Sequence, residues 1–112
     1  IFSPLVFLMG VPTSDLSIAG SLIGEKVILN EFVAYSSLSS YISSGVLTDK
    51  TIVILTYALC GFANISSIAI QIGGIGGMAG EKKTTIAKLG FKALLGGTLT
   101  TCLTATIAGI LV

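Results

Sequence analysis

A single glutamate, Glu31, lies in an apolar stretch of the sequence, residues 28–34 (ILNEFVA), within a chain that is 53% hydrophobic and only 10% charged. A carboxylate at membrane depth costs at least about 2.5 kcal/mol, so an acid in such a position is expected to bind a ligand, a proton or an ion. The structural alternative for Glu31 is a buried ion pair with Lys26 or another lysine. We expect Glu31 to mark the functional site.

Three polar residues further along the chain are spaced so that they share one face of a helix. Asn64, Ser67 and Gln71 stand at positions i, i+3 and i+7, which form one helical stripe. Together with Glu31 they offer a carboxylate, two amides and a hydroxyl. A carboxylate can accept two hydrogen bonds from a vicinal diol, and an amide both donates and accepts, so this set suits a polyol or a sugar. The stripe also suits packing between membrane helices, at about 0.6 kcal/mol per polar contact.

The elements that must position these residues are predicted to be membrane helices. Two stretches carry no charge, 51–80 with 30 residues and 93–112 with 20, and a helix needs about 20 apolar residues to cross a bilayer. The first stretch is too long for one straight crossing, because 30 residues of helix measure about 45 Å against a hydrocarbon core of about 30 Å. We therefore expect the helix over 50–79 to be broken at 61–64, and transporters place substrates at such breaks.

A second irregular element is predicted around Glu31 itself. Residues 1–12 have the character of an interfacial helix that ends at a Gly-Val-Pro step. The helix that follows the N-cap candidates Ser14 and Asp15 has about 17 residues, near the lower limit for a crossing, and Glu25 and Lys26 interrupt it. Residues 14–42 are therefore expected to form a re-entrant hairpin that turns near Glu31, and the serine-rich run 36–45 is expected to leave the membrane as a loop.

The distribution of lysine predicts how the chain is oriented. The segment 81–92, expected to be a loop or interfacial helix, carries four lysines and one acid, a bias typical of the cytoplasmic side. The last transmembrane helix, 87–112, would then leave the C-terminus outside. The chain opens on apolar residues without an initiator Met, so we expect a piece of a longer polypeptide in a plasma membrane or a bacterial inner membrane.

Several classes of function are excluded by composition. The net charge is +1, His is absent and the lysines are not interleaved with aromatics, so no nucleic-acid surface is predicted. Cys60 and Cys102 have neither disulfide-framework nor metal-ligand spacing and are interpreted as buried small hydrophobes. A serine nucleophile lacks a histidine base. We predict no enzyme, no catalytic residue, no cofactor and no bound metal.

Two motifs closely resemble those of concentrative nucleoside transporters of the NupC type. They are 30–35 (NEFVAY) and 61–74 (GFANISSIAIQIGG), in the family's order and preceded by 8–12 (LMGVP), also typical of the family. The resemblance covers essentially all 112 residues. It implies an all-α membrane protein, the second of two inverted repeats and the C-terminal part of the transport domain. The whole protein would be a homotrimeric, ion-coupled nucleoside importer that works by alternating access.

The resemblance also implies roles for individual residues. Glu31, Asn64 and Ser67 would hydrogen-bond the ribose of the nucleoside, and Phe62 would line the site. Asn30 and Gln71 are supporting candidates: Asn30 adjoins Glu31, and Gln71 belongs to the polar stripe.

The remaining partners are expected outside this chain. The coupling ion, sodium or proton, would bind upstream residues of the same polypeptide, which would also recognise the base. The last helix would contact the other subunits of the trimer, and the remaining partner is the lipid bilayer.

Two other functions stay open at this point. One is a non-transport membrane interaction module, in which Glu31 specifies helix assembly. The other is a proteolipid-like ion-translocating hairpin with Glu31 as the proton carrier. The predicted break at 61–64 argues against both, since neither needs an interrupted helix.

Overall fold

The computed structural model describes residues 1–112, and all of its regular secondary structure is helical, as the sequence predicts. The α-helices are α1 (Ser3–Leu8), α2 (Leu16–Ile28), α3 (Glu31–Ser43), α4 (Asp49–Leu59), α5 (Ile65–Ala79) and α6 (Lys83–Ile110), and one 3-10 turn, Gly80–Lys82, joins α5 to α6. Short interruptions separate α2 from α3 and α4 from α5.

The helices that follow the interruptions begin at side chains able to cap them. Asn30, Thr48 and Asn64 have extended backbone, and each side chain accepts a hydrogen bond from an amide in the first turn of α3, α4 or α5. The distances from these side chains to the amides of Val33, Thr51 and Ser67 are 3.0, 3.4 and 2.7 Å. At its other end α5 stops at Gly80, whose φ of +47° suits glycine.

Helix α6 runs antiparallel along both α4 and α5, and glycines let it approach closely. A β-carbon at Gly90 would lie 2.7 Å from Cγ2 of Ile68 in α5, and one at Gly109 would lie 2.6 Å from Cγ1 of Ile54 in α4. Residue numbers therefore increase along α6 in the direction in which they decrease along α5 and α4. The long helix α6 thus holds the two halves of the interrupted helix on one common surface.

The buried core joins α2 and α3 to this frame. Its apolar members come from α1, α2, α3, α4 and α6: among them are Val6, Leu22, Ile23, Ala34, Leu38, Ile54, Leu55, Leu59 and Ala105. Outside the core, α6 exposes Leu95, Leu99, Leu103 and Ile107 in a single stripe. The helical stretch Ile65–Ile110 is long and apolar enough to cross a membrane.

The serine-rich run predicted as a loop is helical for most of its length. Helix α3 continues to Ser43, and within it serine hydroxyls bond to carbonyls one turn back. Ser40 Oγ lies 3.3 Å from the Ser36 carbonyl oxygen, and Ser43 Oγ lies 2.9 Å from that of Ser39. A serine paired in this way no longer competes with the helix for its hydrogen bonds.

Two further expectations differ from the structure. Most of segment 81–92 belongs to α6, which starts at Lys83 and not at 87, since neither Gly nor Pro occurs between Gly80 and Gly90 and lysine is a good helix former. Cys60 is exposed, whereas Cys102 is buried. Cys60 follows the end of α4 and so lies in the interruption, outside the helices.

Asp15 links the beginning of α2 to the beginning of α4. Of the two N-cap candidates it is Asp15 that stands at the N-cap position of α2, but its carboxylate makes no capping hydrogen bond. It instead accepts hydrogen bonds from the amide and the hydroxyl of Thr48, at 3.0 and 2.8 Å, and from the hydroxyl of Ser14 at 2.7 Å. The side chain is only 2% exposed, so it fixes this junction.

Burial raises the pKa of Asp15, whereas the nearby hydroxyls of Thr51, Ser14 and Thr48 and the Thr48 amide lower it more strongly, to about 2 from 3.8. A depressed pKa means that the ionised carboxylate stabilises the fold above pH 3.8 and that this contribution is lost as pH falls through about 2.

We expect Asp15→Asn to destabilise the full-length protein by about 1–3 kcal/mol at neutral pH, because the amide offers hydrogens where the carboxylate offered lone pairs. The measurement is the midpoint of thermal unfolding in detergent for both proteins at several pH values. The difference between them should be full at pH 6 and above and should shrink between about pH 4 and pH 2. A difference independent of pH would contradict the role of the charge.

Candidate functional site

The two helix interruptions meet in space and are joined by hydrogen bonds between side chains and backbone. Asn64 Nδ2 donates to Glu31 Oε2 over 3.0 Å. Ser66 Oγ donates to the carbonyl of Leu29 over 3.2 Å. Residues about 30 positions apart in sequence therefore form one polar cluster at the ends of α2 and α4 and the beginnings of α3 and α5.

Asn64 is at the centre of this cluster. Its side chain is buried, with 3% exposure, and its Oδ1 accepts from the Ser67 amide over 2.7 Å. Because Oδ1 must face that N–H, the Nδ2 group points to Glu31, and the orientation of the amide follows from the hydrogen bonds. The residue that starts α5 is thus also the residue that holds the carboxylate.

Ser67 and Glu31 leave acceptor positions open to a ligand. Ser67 Oγ lies 2.6 Å from the Phe62 carbonyl oxygen and 2.9 Å from Asn64 Oδ1, and its one hydrogen serves one of these oxygens. Toward a ligand the hydroxyl can then only accept. Glu31 uses Oε2 for Asn64, which leaves Oε1 without a hydrogen bond in the fold. The cluster therefore suits a ligand that carries hydroxyl donors.

A cavity of about 140 Å³ lies beside this cluster, between α5 and α6. Its lining consists of Phe62, Ala63, Asn64, Ser67, Ile68, Gln71, Gly90, Ala93 and Leu94. All three residues of the predicted polar stripe line it, whereas Glu31 does not and reaches it through Asn64. Ligand pockets usually measure roughly 300–1,000 Å³, so these residues form part of a larger site.

Phe62 and Asn30 complete the candidate set. Phe62 lies in the interruption with 79% of its surface exposed, so its ring is free to pack against a ligand. Asn30 caps α3 through the Val33 amide and does not line the cavity. Its contribution is to begin α3 so that Glu31 stands in the first turn.

The dipoles of α3 and α5 favour electron-rich groups beside Glu31 and Asn64. Glu31 lies in the first turn of α3, and the N-terminus of α5 begins at Asn64 beside it. The positive ends of both helix dipoles therefore meet here, and each favours a nearby negative charge by about 0.3–1 kcal/mol.

Sequence reasoning assigns Lys26 only as a partner for Glu31, and the structure shows a different contact. The ammonium is buried, with 1% exposure. It donates to the Ala58 carbonyl over 2.8 Å and to Thr101 Oγ1 over 3.0 Å. The only signal in the sequence that Lys26 has a role is its position among the apolar residues of α2. Its acceptors on α4 and α6 are distant in sequence, so no local pattern identifies them.

The close approach of α6 to the cavity makes Gly90 sensitive to substitution. We expect Gly90→Ala to destabilise the full-length protein by about 1–3 kcal/mol, because the new methyl group would overlap Ile68. Ile68 is β-branched and has little freedom to rotate in a helix. The matched control is Gly96→Ala, since a β-carbon there meets no atom within 4 Å. Equal thermal stability of the two variants would contradict this packing.

The comparisons with known proteins agree with each other. A family model described as "Na+ dependent nucleoside transporter C-terminus" matches residues 1–109. The Nucleoside permease NupC of Helicobacter pylori is 47% identical over 115 residues, covering 100% of this chain and 28% of that protein. The Uncharacterized transporter YutK of Bacillus subtilis is 53% identical over 112 residues, covering 100% of this chain and 27% of that protein. The chain thus spans about a quarter of the length of these relatives.

Solved structures of one protein, CNTnw, have the same fold over this part. Its inward-facing substrate-bound state is 49% identical with a TM-score of 0.91, covering 96% of this chain and 27% of that one. An outward-facing state of a CNTnw variant is 48% identical with a TM-score of 0.90, covering 96% of this chain and 26% of that one.

Proposed function

The chain belongs to the Na+ dependent nucleoside transporter family, and we propose that in its full-length protein it supplies the half of the substrate site that binds the ribose of a nucleoside. It is part of an integral membrane transporter and not of an enzyme. The observation that carries the proposal is the Asn64 side chain, which starts α5 and at the same time holds Glu31 at the other interruption.

The proposed ribose contacts follow from the acceptors that the fold leaves open. A ribose carries neighbouring hydroxyls, each of which donates one hydrogen. Glu31 Oε1 accepts one of them, and Ser67 Oγ accepts another, since its own hydrogen already serves a protein oxygen. Phe62 packs its exposed ring against the nucleoside, and Gln71 lines the far side of the cavity. The rest of the full-length protein closes the site and recognises the base.

Transport is proposed to occur by alternating access. The chain matches inward-facing and outward-facing states of CNTnw almost equally well. This supports a unit that keeps its internal arrangement while it moves between the two sides of the membrane. The coupling ion, sodium or proton, binds residues elsewhere in the polypeptide, and import follows the gradient of that ion.

The same proposal places the helices in the membrane. Residues 14–42 form a re-entrant hairpin, α4 and α5 a broken crossing and α6 the last transmembrane helix, as the second of two inverted repeats. The lysines near Lys83 lie in the cytoplasm and the C-terminus outside. Irregular backbone at membrane depth is stable only where protein or a water-filled cavity surrounds it, which agrees with the hydrogen bonding of both interruptions.

The remaining surface fits further contacts within a homotrimer. The exposed leucine stripe of α6 faces lipid or a neighbouring subunit. Glu25 Oε2 is buried without a hydrogen-bond partner and belongs to an open groove that Ile1 and Phe2 also line. A donor from the upstream part of the polypeptide would satisfy this oxygen. Contacts with further protein segments are consistent with a chain that spans about a quarter of the length of its relatives.

The proposal is tested by uptake of labelled uridine into proteoliposomes that contain the full-length protein, with and without a sodium gradient. Uptake above that of empty vesicles supports nucleoside transport, and its loss without the gradient identifies sodium as the coupling ion. Proton release without uridine uptake would instead favour an ion-translocating hairpin. Neither activity would favour a membrane interaction module.

Glu31→Gln should lower the apparent affinity for uridine about ten- to a hundredfold, because the substitution removes charge-assisted hydrogen bonds of about 1.5–3 kcal/mol. Membrane insertion should be unchanged, since the amide keeps the size of the side chain. The control is Glu81→Gln at an exposed position outside the cluster. Wild-type uptake by an inserted Glu31→Gln protein would remove Glu31 from the site.

Nucleosides that lack ribose hydroxyls should compete with labelled uridine more weakly than uridine itself. The difference should narrow in Ser67→Ala, because that variant has lost one acceptor for a hydroxyl, worth about 0.5–1.5 kcal/mol. The measurement is the inhibition constant of uridine and of its dideoxy analogue for each protein. Equal competition by the two compounds in the wild-type protein would contradict ribose recognition.

A further inference from the structure

Lys26 is the most deeply buried charged side chain of the fold and has no role in the proposed ribose contacts. Burying an ammonium carries an effective penalty of several kcal/mol, which only good acceptors offset. The contacts of Lys26 are therefore informative, since they identify the part of the structure that requires a positive charge.

The first acceptor is a backbone group released by the interruption. Helix α4 ends at Leu59, so the carbonyl of Ala58 lies in its last turn and has no amide partner one turn ahead. Lys26 Nζ donates to this carbonyl over 2.8 Å. A cation at the C-terminal end of a helix is also favoured by the helix dipole. Lys26 thus terminates α4 from a different helix, α2.

The second acceptor ties the same ammonium to α6. Thr101 gives its own hydrogen to the Thr98 carbonyl over 2.9 Å, so its oxygen is free to accept from Lys26 over 3.0 Å. The interrupted segment passes close to both groups. A β-carbon at Gly61 would lie 2.6 Å from Cγ2 of Thr101 and 3.8 Å from Lys26 Nζ.

We propose that Lys26 is a positioning residue for nucleoside binding. Its ammonium, carried by α2, donates to the free carbonyl at the end of α4 and so fixes the backbone course of residues 60–64. This inference rests on the proposed function. In transporters, the C-terminal ends of half-helices and unwound carbonyls coordinate coupling ions. In this chain an ammonium on α2 occupies such a position permanently. Phe62 and Asn64 keep their places because the start of their segment is held by Lys26.

The test compares uridine uptake and uridine binding by the full-length wild-type protein, Lys26→Met and the control Lys50→Met, whose lysine is exposed. Lys26→Met should raise the KM and the Kd for uridine about tenfold, since a hydrogen-bonded charge is lost from the frame of the site. The maximal rate per inserted molecule should stay within about twofold, because the groups that contact the nucleoside are unchanged. A merely structural lesion would lower the maximal rate and leave the KM unchanged.

A cationic rescue separates charge from volume. Lys26→Ala leaves space for a small amine, and ethylammonium should lower its Kd for uridine by about threefold or more without affecting Lys50→Met. Thr101→Val, which keeps the side-chain shape but removes one acceptor, should weaken binding about two- to fivefold. If the Lys26 variants do not insert into the membrane, the Kd of Thr101→Val for uridine tests the role of Lys26 instead.

The outcomes distinguish this inference from the function on which it rests. No binding of uridine by the wild-type protein would overturn both. Wild-type binding together with an unchanged Kd in Lys26→Met would overturn the role of Lys26 alone. An unchanged Kd in Thr101→Val, with Lys26 variants that fail to insert, would do the same. Weakened binding that ethylammonium does not improve would show that the charge is not what positions the segment.

Discussion

Two helices are interrupted in the apolar part of this fold, and each interruption leaves backbone donors and acceptors that need partners. Such groups cost free energy when they are buried unpaired, and no water is available at membrane depth. Asn30 and Asn64 supply acceptors for the amides that begin α3 and α5. Lys26 supplies a donor for the Ala58 carbonyl near the end of α4. The placement of the remaining helices depends on these few polar contacts.

The same contacts make the candidate site. Asn64 caps α5 with its oxygen and holds Glu31 with its nitrogen, so one side chain both stabilises the interruption and orients the carboxylate. The Ser67 hydroxyl donates its hydrogen to an oxygen within the fold, so toward a ligand it can only accept. The proposed recognition of a hydroxylated ligand and the stability of the interrupted helix therefore depend on the same side chains. A substitution in the cluster is expected to affect both, which is why matched controls outside it are needed.

The sequence contained much of the site but not its geometry. The charge-free stretches and the length limit of a crossing predict a helix interrupted near 61–64, and the structure has α4 and α5 on either side of that segment. The spacing of Asn64, Ser67 and Gln71 predicts one face, and all three line one cavity. The serine-rich run was wrong as a loop because hydroxyls can bond within a helix, a choice that composition alone does not resolve.

Composition, the spacing of charges and two motifs were sufficient to predict the helical class, the family and the residues whose side chains could bind a ligand. These features are local, so one chain carries them without any knowledge of packing. The tertiary structure decided which residues meet: Glu31 with Asn64, and Lys26 with Ala58 and Thr101 instead of with Glu31. Such pairings join positions 32 to 75 residues apart. The contacts of Thr101 follow from the way α6 aligns both halves of the broken helix, which depends on close approaches at Gly90, Gly97 and Gly109.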